Sequence, residues 1–130
     1  MNRFRSDRGA TAVEFAIVLL PLIALVMGII DFGQVYSEQL ALTSAAREGA
    51  RVMAVQPHTA SAARTATIAA ANGLSPALTS GQITISPSTC TAGQSVTVTI
   101  TYPLTSVTGM FDGLFSGNNL TATGVMRCEG

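Results

Sequence analysis

The chain has 130 residues, of which 48% are hydrophobic and only 11% are charged, whereas about a quarter of an ordinary soluble protein is charged. Every basic residue is Arg, and the formal net charge is zero, which argues against a nucleic-acid surface. A single histidine, His58, leaves a Ser-His-Asp triad and a histidine metal site poorly supported. We therefore expect a non-enzyme with no catalytic residues, no metal or other cofactor, and no nucleic-acid partner.

The N-terminal part of the chain has the length and composition of a membrane span. Residues 15–30 contain no ionisable side chain, and extending the run back to Ala10 adds only Glu14. Those twenty-one residues match the length that a helix needs to cross a bilayer core of about 30 Å. Arg3, Arg5 and Arg8 precede the run, and positive flanks stay in the cytoplasm. The sequence predicts a single-pass inner-membrane protein with its N-terminus inside and its C-terminal part exported.

The same helix is predicted to continue well beyond the membrane. No proline occurs between Pro21 and Pro57, so one helix over about residues 11–55 is allowed. A narrow apolar stripe with spacings of three and four runs along the outer half and consists of Phe32, Val35, Gln39, Leu42, Ala46, Gly49 and Met53. Gly49 lies among alanines and predicts a surface where another helix approaches closely, which we assign to subunit assembly.

The C-terminal part predicts a small α+β domain. Residues 60–71 are rich in alanine and predict a second helix, whereas residues 82–86, 94–102 and 120–127 predict an antiparallel sheet of three strands. Val96, Val98, Ile100 and Tyr102 alternate with threonines and should share the buried face. Between the last two strands, residues 104–119 form a loop that is unusually apolar.

Two cysteines, Cys90 and Cys128, lie beyond the apolar span on the predicted outer side. An oxidising compartment favours a disulfide between them, and two unrelated buried thiols are the alternative.

Gly9 is followed by four residues and then by Glu14 and Phe15, at the start of an apolar helix. This pattern resembles the processing site of type IV prepilins and of the Flp/Tad pilins. Residues 44–51, which read Ser-Ala-Ala-Arg-Glu-Gly-Ala-Arg, are similar to the TadE-like pilus assembly proteins. The resemblance implies cleavage by a prepilin peptidase between Gly9 and Ala10. It also implies that Glu14, with Phe15 beside it, contacts a neighbouring subunit by pairing with the new amino group of Ala10.

This resemblance divides the chain into a leader (1–9), a membrane helix (10–30), a helix extension (31–56) and an exported α+β domain (57–130). The implied role is that of a minor pilin or pseudopilin of a Tad/Flp-type pilus. The implied partners are the prepilin peptidase, the Tad inner-membrane platform with its ATPase, and other major or minor pilins.

Four alternatives remain open at this stage. Glu14 could simply extend to the inner membrane surface, and Gly9 could be a flexible residue before the helix. The whole chain could instead be a permanently anchored envelope protein whose loop at residues 110–115 binds a ligand or a cell-wall component. A secretory signal followed by a soluble domain is weaker, because no cleavage signature of small residues closely follows the apolar run.

Overall fold

The computed structural model describes residues 4–55 and 59–129. It is an α+β structure with a long first helix, a short second helix and a three-stranded antiparallel sheet, as the sequence predicts. The helices are α1 (Phe4–Val55), α2 (Ala60–Ala70) and the one-turn α3 (Asp112–Phe115), and the strands are β1 (Ile83–Ser86), β2 (Ser95–Pro103) and β3 (Asn119–Arg127). The predicted loop residues Pro57 and His58 lie outside the described residues.

The first helix is longer than the sequence indicated. It begins at Phe4, so the expected start near Thr11 was wrong by seven residues. Residues 4–10 contain Arg and Ala, which favour helix, and the single Gly9 among them costs only about 1 kcal/mol. The interpretation of Gly9 as a flexible residue before the helix is therefore wrong, because Gly9 lies within α1.

The sheet has the strand order β1-β2-β3, with both pairs antiparallel. Val98 in the central strand is paired with Ile85 on one side and with Gly124 on the other. The predicted face of β2 is confirmed, because Val96, Val98, Ile100 and Tyr102 are all fully buried. Threonines occupy the opposite face, as expected for a sheet with one side on the core.

The core lies between this sheet face, the C-terminal half of α1, and α2. Its α1 members are small or flexible residues, namely Leu42, Ala45, Ala46, Ala50, Met53 and Ala54. A Cβ atom added at Gly124 would collide with the carbonyl of Ala46 and lie 2.6 Å from the amide nitrogen of Arg47. Strand β3 therefore crosses α1 at backbone contact distance, and only glycine fits at that crossing.

A disulfide joins Cys90 to Cys128, with their Cα atoms 5.7 Å apart. It connects the segment between β1 and β2 to the end of β3, where the Cys128 amide also donates a hydrogen bond of 2.7 Å to the Gln94 carbonyl. The predicted disulfide is confirmed, and the alternative of two separate thiols is wrong.

Candidate membrane and assembly site

The N-terminal half of α1 projects from the domain with its apolar side chains uncovered. Within the described residues, α1 is the one helix long and apolar enough to cross a membrane, and none of its most apolar 18-residue window is buried. The exposed side chains include Phe15, Val18, Leu20, Leu25 and Ile29. A helix that is apolar on all sides and uncovered by its own chain needs lipid or other helices around it.

The predicted processing residues lie together at the start of this bare half. Gly9, Ala10, Glu14 and Phe15 are all exposed residues of α1. Glu14 follows Ala10 by four residues, so the two lie on the same side of the helix, about 6 Å apart along its axis. Within the described part of the chain, a side chain at Gly9 would meet no atom within 4 Å. The fold itself therefore does not require glycine at this position.

Gly49 lies far from this group. It is thirty-five residues beyond Glu14 on the same helix, which corresponds to about 52 Å along the axis. A Cβ atom there would collide with the hydroxyl of Thr67 and lie 3.4 Å from the carbonyl of Ala63, both in α2. The close helix approach that the small residues predicted is therefore made within the chain, between α1 and α2. A contact of Gly49 with another subunit stays a prediction.

Asp31 marks the boundary between the bare half of α1 and the domain. Its carboxylate is only 1% exposed and accepts four hydrogen bonds from the segment between β2 and α3. Oδ1 accepts from the amides of Val107 and Thr108, both at 3.0 Å, and Oδ2 accepts from the hydroxyls of Ser106 and Thr108, both at 2.7 Å.

These hydrogen bonds determine the charge state of Asp31. Its removal from water raises the pKa, but the hydrogen bonds from Ser106, Thr108 and Val107 together outweigh this effect and hold the pKa below the ordinary value for Asp. Asp31 is therefore ionised at neutral pH, and its negative charge fixes the segment against α1.

Three aromatic rings reinforce this attachment. Phe32 on α1 lies 6.2 Å from Phe111 and 5.8 Å from Phe115, measured between ring centroids, and Phe111 lies 6.2 Å from Phe115. A Cβ atom at Gly28 would lie 3.6 Å from the Phe111 ring. The segment therefore packs along α1 from Phe32 back to Gly28, which lies inside the apolar run.

The buried face of α1 next to Asp31 differs from the predicted stripe. Phe32 is largely exposed, whereas Asp31 and Glu38 are buried. The Glu38 Oε1 atom accepts a hydrogen bond of 3.1 Å from Gln34, and its Oε2 atom has no hydrogen-bond partner among the described residues. Burial, and to a lesser degree the charge of Glu38, raises the pKa of Tyr102, whose hydroxyl donates to the Pro76 carbonyl at 2.6 Å. An apolar repeat in the sequence does not identify these buried carboxylates, because charged residues are expected to face solvent.

Gln39, which interrupted the predicted stripe, has a clear structural role. Its side-chain amide donates a hydrogen bond of 3.0 Å to the backbone carbonyl of Thr121 in β3. Further along α1, Arg51 forms a 2.6 Å ion pair with Glu48. Both groups are partly exposed, so water screens the pair and it contributes little to stability.

The family comparison agrees with the residues that suggested a pilin-like protein. The model of a family described as TadE-like protein matches residues 9–51. Residues 9–51 are therefore similar to this family. The predicted resemblance is thereby confirmed, and the match begins at Gly9 and includes the whole bare half of α1 and most of its domain-facing half. No curated protein and no solved structure matches the chain.

The TadE-like match covers 43 of the 130 residues. The matched segment consists entirely of α1 residues, and the disulfide-linked sheet lies outside it. Among residues 4–55 and 59–129, no cluster of three or more His, Cys, Asp or Glu side chains is arranged to hold a metal ion. The arrangement offers an uncovered apolar helix and a disulfide-linked domain.

Proposed function

We propose that this chain is a pilin-like subunit, a minor pilin or pseudopilin, of a Tad/Flp-type pilus, and that a prepilin peptidase cleaves it between Gly9 and Ala10. The observation that carries the proposal is the bare apolar half of α1, which lies inside the TadE-like match and is uncovered by the rest of the chain. A helix of this kind suits two successive environments, first the lipid of the inner membrane and then the helices of other pilins.

Cleavage would prepare the chain for assembly. Hydrolysis of the Gly9–Ala10 peptide bond adds water across it, leaving a carboxylate on Gly9 and a free amino group on Ala10. An α-amino group has a pKa of about 7.7 to 8.0, so this group is largely protonated at neutral pH. In a bundle of apolar helices, leaving either this cation or the Glu14 carboxylate unpaired is costly. Pairing Glu14 with Ala10 of a neighbouring subunit therefore selects one axial register.

The proposed location is the bacterial inner membrane, with the N-terminus in the cytoplasm and the disulfide-bonded domain exported. Arg3, Arg5 and Arg8 support this orientation because positive flanks remain inside. The disulfide between Cys90 and Cys128 supports it independently, because disulfides persist in oxidising compartments. The proposed partners are the peptidase, the Tad platform with its ATPase, and other major or minor pilins.

The variant Glu14→Gln tests the assembly role. It removes the charge at nearly constant volume, so membrane insertion should be unchanged, whereas incorporation into sheared filaments should fall by roughly tenfold or more. Glu129→Gln is the matched control, because Glu129 is an exposed carboxylate at the far end of the domain. Quantitative immunoblots of the membrane and filament fractions measure both effects. Equal incorporation of Glu14→Gln and the wild type would contradict the assembly role of Glu14, and absence of the wild type from the filament fraction would favour a permanently anchored envelope protein.

A further inference from the structure

We propose that residues 107–115, which we name the interfacial segment, lie in the outer membrane–water interface beside α1, so that the phospholipid surface is their partner. The inference rests on the proposed membrane insertion of α1. It adds a second membrane contact, made by the domain, which fixes the domain's height and tilt on the bilayer surface.

The interfacial segment lies beside the end of the apolar run of α1. Phe111 packs beside Gly28, three residues before Asp31 and inside the apolar run that ends at Ile30. At 1.5 Å per residue, the Phe111 ring therefore lies about 4.5 Å on the membrane side of Asp31. Amphipathic elements that bind membranes are buried to a depth of about 5 to 10 Å in the interface. If α1 spans the bilayer, the interfacial segment cannot avoid this zone.

The interfacial segment exposes several apolar side chains. Val107, Met110 and Leu114 are 63%, 53% and 62% exposed, although they are apolar. Their neighbours Thr108, Phe111 and Phe115 lie against α1 at Asp31, Gly28 and Phe32. The exposed Ile29 and Ile30 belong to the same stretch of α1, so the apolar surface of the helix continues onto the domain. Asp112 is the one ionisable residue in the interfacial segment. An apolar surface of this kind, with a single carboxyl group, is stabilised more by lipid than by water.

Most backbone amides of the interfacial segment donate hydrogen bonds within the chain. A segment that leaves bulk water must satisfy its amides internally, and six of the nine amides of the interfacial segment donate to acceptors within the chain. The amides of Val107 and Thr108 donate to Asp31, that of Gly109 donates to Ser106 Oγ, and that of Met110 donates to Thr108 Oγ1. The amides of Leu114 and Phe115 both donate to the Phe111 carbonyl. Asp31 is thus an internal acceptor that allows this loop to enter a poorly hydrated zone.

Tryptophan fluorescence tests the proposal directly, because the chain contains no Trp. Three single-Trp variants of the full chain are reconstituted in phosphatidylcholine vesicles with brominated acyl chains, which quench Trp on contact. Leu114→Trp reports on the interfacial segment and Leu20→Trp on the span. Val125→Trp is the control, because Val125 is 57% exposed on the outer sheet face. Met110→Trp provides a second reporter if Leu114→Trp perturbs the fold.

The expected result is that Leu20→Trp and Leu114→Trp lose at least twice the fraction of their emission that Val125→Trp loses, at every protein-to-lipid ratio. The proposal is overturned if Leu114→Trp and Met110→Trp are quenched no more than Val125→Trp while Leu20→Trp is quenched, because the domain then stands off the membrane. It is also overturned if protection of Leu114→Trp from aqueous iodide disappears on dilution in lipid, because a second copy of the chain then covers the segment. Absence of quenching in Leu20→Trp would instead contradict the membrane insertion of α1.

Discussion

Asp31 and Thr108 are joined by two hydrogen bonds, one from the Thr108 amide at 3.0 Å and one from its hydroxyl at 2.7 Å. The two residues are 77 positions apart in the chain, so this contact connects the end of the apolar span to the loop between the last two strands. It holds the domain at a defined position on α1.

Replacing Asp31 should release this loop. In Asp31→Ala, the amides of Val107 and Thr108 lose their acceptor, and their hydrogen exchange should accelerate by roughly tenfold or more. Asp31→Asn should have an intermediate effect, because its amide oxygen can still accept while the charge is lost. Asp112→Asn is the control, since Asp112 is an exposed carboxyl group in the same loop. Hydrogen exchange is measured by mass spectrometry on the protein in detergent. Exchange in Asp31→Ala as slow as in the wild type would contradict this account.

The attachment at Asp31 should also depend on pH. The folded pKa of Asp31 is below the ordinary value of about 3.9, so its contribution to stability is fully present above that value. The contribution should disappear as the pH falls through the lowered folded pKa, and the loop should stay attached at pH 5. Proteolysis of the loop with pepsin across pH 2 to 5 measures this, and Asp31→Asn should flatten the wild-type profile.

Gly124 should tolerate no side chain. In Gly124→Val the new side chain would collide with the α1 backbone at Ala46, which cannot move without displacing the helix. We expect a loss of about 3 kcal/mol in the free energy of unfolding, at the upper end of overpacking effects. Thr123→Val introduces the same side chain at the neighbouring exposed position and should change stability by only about 0.5 kcal/mol. Equal urea midpoints for the two variants would contradict the close crossing.

The parts of this structure that follow a simple repeat were predictable from the sequence. The alternation from Val96 to Tyr102 identified the buried sheet face, and the lack of proline between Pro21 and Pro57 identified the continuous helix. The attachment at Asp31 was not predictable, because a carboxylate becomes a buried acceptor only when a distant loop supplies donors. Gly124 carried a signal that was not used, since an isolated glycine in a strand indicates close backbone approach.

Gly49 offers a matched test of the α1–α2 contact. Gly49→Val should destabilise the chain by about 1 to 3 kcal/mol, because its side chain would meet Thr67. Gly33→Val is the control, because Gly33 is also in α1 and its added Cβ would meet nothing within 4 Å among the described residues. The double variant Gly49→Ala/Thr67→Ala should recover part of the stability that Gly49→Ala loses, because the shorter side chain at position 67 leaves room for the new Cβ atom. Thermal unfolding that shows no difference between Gly49→Val and Gly33→Val would rule out this contact.

The disulfide should account for much of the stability of the domain. It closes a loop with a sequence separation of 38, for which the chain-entropy estimate gives about 4 kcal/mol. The double variant Cys90→Ser/Cys128→Ser should unfold at a correspondingly lower urea concentration, and wild-type protein treated with dithiothreitol should shift in the same direction. A double variant as stable as the oxidised wild type would show that the covalent link is not needed.

The central claim is that the chain is a processed pilin-like subunit, and the mass of the mature N-terminus tests it most directly. Protein purified from membranes of a strain that carries the prepilin peptidase should begin at Ala10, whereas Gly9→Leu should retain the whole leader. Gly33→Leu is the control, because Gly33 also lies in open space on α1 and its replacement should leave cleavage intact. Intact-mass spectrometry that finds residues 1–9 still attached to the wild-type chain in that strain would contradict the account.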